Sequence, residues 1–200
     1  MNRTPARTRR RLLASLAAIA ALPGCAAWVH AGREAGPATR AAGPGFATGI
    51  GIVIFEATGT DFPFHTAAII DAPRGRALYD PGGWWADGRG QRVRDVTHGL
   101  TPAREAAYLR RDYFGADPGD WRVHRFDRAL DPAEAARALD LAQDMPPLVF
   151  GLCCWGLTSV LMRLDTFAEL RPWVLPATLL AHLRRRDDLT YTTRLAPPAG

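Results

Sequence analysis

The sequence contains no lysine: all 25 of its basic residues are arginine, set against 20 acids. Five of those arginines precede Leu12 with no acid among them, so the rest of the chain carries equal numbers of each sign. Such a balance implies no nucleic-acid partner. Cysteine is scarce, with only three in 200 residues, and two of them are adjacent. No Cys-x-x-Cys or His-x-x-x-His spacing occurs, so neither a metal site nor a cofactor is expected. No segment repeats. The apolar run from Leu12 to Leu22 is too short to cross a bilayer stably.

What is there begins with MNRTPARTRRRLLASLAAIAALPGCAAW. A basic head, a short apolar run and small residues describe an export signal over residues 1–24 rather than part of a fold. Leu22-Pro23-Gly24-Cys25 resembles a bacterial lipobox, which implies that Cys25 is lipidated and becomes the new N-terminus. Arg9-Arg10-Arg11 also permits a twin-arginine route. An uncleaved anchor over 1–28 is the alternative. The expected location is the cell envelope, on its periplasmic face, with Ala26 favouring the outer membrane. Residues 25–48 are rich in Ala, Gly and Pro and read as a flexible tether. The remainder, 49–200, is long enough for one domain with its own core.

Within it, β-branched content predicts strands over Ile50–Phe55 and His65–Ile70, a turn over Asp71–Gly75, and a third strand over Arg76–Tyr79 ending at Asp80. Residues 81–95 read as one long Gly-rich loop holding Trp84 and Trp85. Thr101-Pro102 predicts a helix start running to about Tyr113. Trp121–Phe126 alternates as a strand, and Asp131-Pro132 caps a helix to about Gln143. A helix follows at the adjacent cysteines, with Leu157, Val160, Leu161 and Leu164 on one face. A helical piece near Ala177–Arg185 and a strand over Leu189–Leu195 close the chain. The class is α+β.

Cys153 and Cys154 admit several readings. A disulfide between neighbours is strained and rare. That leaves buried core thiols or a nucleophile. At a helix start, free N–H groups and the helix dipole favour thiolate over thiol. A nucleophilic cysteine needs a histidine to share its proton and a third group to orient that histidine. His30 lies in the tether, and His98, His124 and His182 sit in surroundings expected at the surface. His65 opens an apolar strand, and the next strand ends at Asp80, so in a hairpin the two lie side by side. Asp80 could instead serve only as the first residue of the turn Asp80-Pro81-Gly82-Gly83. Trp84 and Trp85 are candidates to wall a cleft or to cover a core edge; Arg89, Arg92 and Arg94 read as a solvated charge run.

His65-Thr66-Ala67-Ala68-Ile69-Ile70 resembles the histidine strand of NlpC-type papain-like peptidases, and Cys154-Trp155-Gly156-Leu157-Thr158 resembles their nucleophile helix start. With histidine preceding cysteine, the order is similar to that of the circularly permuted branch that includes lecithin:retinol acyltransferase and several bacterial lipoproteins. The resemblance implies an antiparallel sheet packed on helices, with Cys154 as nucleophile, His65 as base and Asp80 as orienting residue. Periodicity alone leaves Cys153 as an alternative nucleophile, since neighbouring helical residues are about 100° apart. The implied chemistry is acyl transfer through a thiol acyl-enzyme. Its expected substrate is a cell-wall peptide, with an acylated small molecule second. A non-catalytic envelope-binding lipoprotein with the same shell is the competing reading.

Overall fold

A computed structural model of the chain describes residues 48–83, 85, 92–110 and 121–195. The export signal, Cys25, the tether up to residue 47, Trp84 and Arg89 lie outside the described residues. The order is β1 (Gly49–Ala57), β2 (Phe62–Ala72), β3 (Gly75–Tyr79), β4 (Arg92–Val93), β5 (Val96–His98), α1 (Pro102–Leu109), β6 (Trp121–Ala129), α2 (Pro132–Asp144), α3 (Cys153–Leu161), α4 (Pro176–Leu183) and β7 (Thr190–Leu195). A 3-10 turn over Asp165–Phe167 follows α3. The strands form one seven-stranded sheet in the order β4-β5-β3-β2-β1-β6-β7, and every pairing is antiparallel.

β1 is central, and its Gly-Ile-Gly-Ile-Val-Ile-Phe run lacks polar alternation because both faces are covered. Ile50, Ile52 and Ile54 meet Ala68 and Ile70 of β2 and the buried sides of α2, α3 and α4. The opposite face carries Val53, Phe55, Ala67, Ile69 and Leu78, packed with Tyr108 and Leu109 of α1 and Trp121 and Val123 of β6. The period of two along β1 and β2 therefore builds two cores, one on each side of the sheet. Helices α2, α3 and α4 all lie against β2, which makes that strand the spine of the molecule.

Helix starts follow the capping rules. Thr101 accepts the Arg104 amide at 3.2 Å, and Asp131 accepts the amides of Ala133 and Glu134 at 2.9 Å each. Proline occupies the first turn of α1 and α2. Helix α3 differs, for Leu152 at its cap position supplies no side-chain hydrogen bond.

The expected loop over 81–95 is corrected in part, because Arg92–Val93 and Val96–His98 form an edge hairpin on β3. Pairs this short carry too little apolar pattern to register locally; their strand geometry comes from docking on β3. Among the described residues no helix is long and apolar enough to cross a membrane.

Ile52 is fully buried at the centre of β1. Replacing it with alanine is expected to lower stability by about 2–5 kcal/mol, read as a drop in the urea midpoint with an unchanged denaturant slope.

Candidate active site

β3 ends at Tyr79 opposite Ala68, whereas β2 continues back to Phe62. The first half of β2 therefore projects past its neighbour and leaves a notch beside the sheet. Residues two apart on a strand direct their backbone groups to the same side. Ala68 pairs with Tyr79 there, and Thr66, two residues earlier, lies past the end of β3 beside Cys153 at the start of α3. On the other side, β1 pairs Phe55 with His65 but Glu56 with Pro63, so Phe64 is an extra residue, a bulge immediately before His65. Bulges re-aim the side chains next to them.

His65 is 6% exposed, and its Nε2 lies 2.6 Å from Asp80 Oδ1. Asp80 is fully buried at the end of β3. The Tyr108 hydroxyl donates to the same Oδ1 at 2.9 Å and stands 3.5 Å from His65 Nε2. The chain turns tightly behind the carboxylate, with Gly83 N–H donating to Asp80 O at 3.0 Å. A Cβ at Gly83 would sit 1.9 Å from Asp80 Oδ2, so only glycine lets the turn pass the acid in this position.

With Nε2 turned to Asp80, the ring also stands beside Cys153, close enough for the thiol and the imidazole to shift each other's titration. Burial pulls the His65 pKa down, but the Asp80 charge and hydrogen bond, reinforced by Cys153, outweigh it and raise it to about 9. Burial pushes the Cys153 thiol up, and the neighbouring His65, by its positive charge and polar contact, brings it below the ordinary thiol value. Cys154 goes the other way. It is fully buried among core side chains, and burial followed by the neighbouring Cys153 pushes its pKa up to about 12.

The pair is thus placed in the reverse of the order that the motif match favoured. Cys153, not Cys154, stands beside His65. The helix start lies across the β2 notch, and one residue of rotation, about 100°, turns Cys154 into the apolar core. The first intrahelical bond of α3 is Gly156 N–H to Leu152 O at 2.9 Å. With no side-chain cap, the amides of the first turn remain for an anion at the Cys153 end.

Tyr108 was not among the expected site residues. A tyrosine on an amphipathic helix reads as core, and only its hydroxyl, which needs a partner when buried, hints otherwise. Its helix is held down by Glu105, which accepts from Arg76 Nη2 at 2.5 Å and from Arg125. Trp85 packs edge-on to Tyr108 at 5.4 Å between ring centres, with the Arg104 guanidinium 5.8 Å from its own ring. It covers the edge of the second core behind the acid.

His124, expected at the surface, is fully buried. Its Nδ1 is 2.9 Å from the Tyr191 hydroxyl and its Nε2 3.3 Å from Glu56, which also accepts from Arg122 at 2.5 Å. Burial lowers its pKa, and Glu56 only partly compensates. The cluster contains no cysteine and braces β1 against β6 and β7. His98 is half-buried against Gln143, and His182 pairs with Glu169. Among the described residues no group of three or more potential ligands gathers to hold a metal.

No family model, curated protein or solved structure matches the chain.

Gly83→Ala is expected to displace the Asp80 carboxylate while leaving the strands intact. The His65 pKa should then fall by about one unit or more from about 9, measured by NMR titration of its ring protons. Titration still near 9 would remove Gly83 from the account.

Proposed function

We propose that the chain is a cysteine hydrolase working through a thiol acyl-enzyme, with Cys153 as nucleophile, His65 as acid and base, Asp80 as orienting carboxylate and Tyr108 as support for Asp80. The carrying observation is a thiol, Cys153, beside a histidine that a fully buried aspartate holds in place, at the start of a helix without a side-chain cap.

In this reading the Cys153 thiolate attacks the carbonyl carbon of an amide or ester, and the first-turn amides of α3 face the developing oxyanion. The tetrahedral adduct collapses as the protonated His65 gives its proton to the leaving amine or alcohol. Water then attacks the thioester carbon, His65 takes its proton, and the acid product leaves with the thiolate regenerated. Asp80 keeps the imidazolium favourable throughout and retains its own charge.

Resemblance to the permuted papain-like branch and the expected envelope tether at Cys25 favour a cell-wall peptide as substrate. A deacylase or acyltransferase is the second reading, and a specific observation favours it. Val149 and Phe150, in the loop that leads into Cys153, are 64% and 58% exposed, an apolar approach suited to an acyl chain.

Cys153→Ala is expected to abolish turnover of cell-wall stem peptides or a medium-chain thioester, a loss of at least about 10³-fold. Cys154→Ala should keep most of it. Both variants should melt cooperatively. Retained turnover in Cys153→Ala would end the proposal, and loss only in Cys154→Ala would reassign the nucleophile.

The pH dependence of kcat/KM should be bell-shaped. Its acid limb follows ionisation of Cys153, below the ordinary thiol range, because the thiol form cannot attack. Its alkaline limb falls near 9, because above that pH His65 is neutral, can no longer protonate the leaving group and no longer supports the thiolate.

A further inference from the structure

The hairpin between β4 and β5 makes a set of contacts that the site above does not use. At its turn, Asp95 is 6% exposed. Its carbonyl accepts the Asp80 amide at 2.9 Å. One carboxylate oxygen, Oδ2, accepts two further amides, Gly82 at 3.0 Å and Leu148 at 3.1 Å. Gly82 belongs to the turn that follows Asp80, and Leu148 to the loop that leads into Cys153. The two segments are in close backbone contact: a Cβ at Gly82, whose φ is +62°, would lie 2.8 Å from Val149 O. Helix α3 closes the same knot at Gly156, where a Cβ would lie 3.1 Å from Pro81 Cβ and 3.2 Å from the Tyr79 hydroxyl.

The preceding residue grips the same segment from outside. Arg94 adopts φ +54°, a backbone region that disfavours non-glycine residues. Its Nη1 donates to the carbonyls of Gln143, Asp144 and Met145 at 3.3, 2.7 and 3.2 Å, the unsatisfied end of α2. Two adjacent hairpin residues therefore hold the stretch from α2 to α3, and one of them also holds the acid's turn.

We propose that Asp95 is a positioning residue: by accepting the Gly82 and Leu148 amides on one oxygen, it sets the spacing between the Asp80 turn and the Cys153 loop, and through it the alignment of Cys153 with His65. This rests on the reading of Cys153 as nucleophile. The sulfur and the acid arrive on segments some seventy residues apart, about 70 from Asp80 to Cys153 by number, and short loops on separate elements keep such spacing only when something fixes both. What the position requires is an accepting oxygen, since both amides meet the same atom; asparagine supplies one and alanine none.

The test is the rate at which iodoacetamide alkylates Cys153 in the full chain, followed by peptide-resolved mass spectrometry across pH, with circular dichroism as a check on folding. Below the midpoint, a rise of one unit in apparent pKa lowers the rate about tenfold. Asp95→Ala is expected to show that tenfold loss at pH values below the parent's midpoint with its secondary structure intact, and Asp95→Asn to stay within about threefold of the parent. An Asp95→Ala profile equal to the parent's overturns the proposal, as does equal loss in the alanine and asparagine variants. If Asp95→Ala fails to fold, Asp95→Glu displaces the oxygen by one methylene: a shifted profile supports the proposal and an unshifted one overturns it. A parent chain whose Cys153 reacts like an ordinary thiol, unaffected by His65→Ala, instead defeats the catalytic reading on which the proposal stands.

Discussion

A fully buried carboxylate is the constraint around which the rest of the molecule is arranged. Asp80 has no access to water, and an isolated charge in such a place is strongly unfavourable unless it is paired and hydrogen-bonded. His65 and Tyr108 both approach its Oδ1, one from β2 and one from α1. The acid thereby ties β2 and β3 to α1 on one face of the sheet. It also raises the pKa of the imidazole, and the imidazole's charge in turn lowers that of the buried thiol beside it.

Two adjacent residues of one type diverge in chemistry for this reason. Cys153 and Cys154 share a helix, a backbone and nearly the same depth. Desolvation opposes the thiolate in both. Only Cys153 has the imidazole of His65 beside it to offset this, because the helix start lies across the place where β3 has already ended. Had β3 continued two residues further, it would have run alongside Thr66, and the notch that receives Cys153 would not exist. The bulge at Phe64 and the short third strand are therefore as much a part of the site as the side chains themselves.

Behind the site, polar residues do the positioning. Glu105 lies between Arg76 and Arg125 and seats the helix that carries Tyr108. Such a buried network adds little net stability over an apolar packing of the same shape, yet removal of one partner strands a charge. On the helix-covered face, the Glu56, His124 and Tyr191 cluster does the equivalent for the outer strands. In a chain without lysine, the side-chain cations at these acids are arginines, Arg76 and Arg125 at Glu105 and Arg122 at Glu56, whose planar heads can satisfy two acceptors at once.

The sequence by itself determined the class, most of the elements and the meeting of His65 with Asp80. Strands of Ile and Val, helices opened by Thr101-Pro102 and Asp131-Pro132, and the pairing of His65 with Asp80 across a short hairpin are local facts, because each depends on residues close together in the chain. The edge hairpin at Arg92–His98 was not legible, since strands of two and three residues exist only by docking on β3. Nor was Tyr108, whose role depends on which way a helix far from the hairpin faces. His124 was misplaced because the arginines near it in sequence suggest a surface, whereas Arg125 turns to Glu105 on the other face and Arg122 joins His124 at Glu56. The choice between Cys153 and Cys154 was left to the tertiary structure alone. Neighbouring helical residues differ by about 100° in direction, and only the docking of α3 against the open edge of β2 decides which sulfur meets the imidazole and which meets leucine.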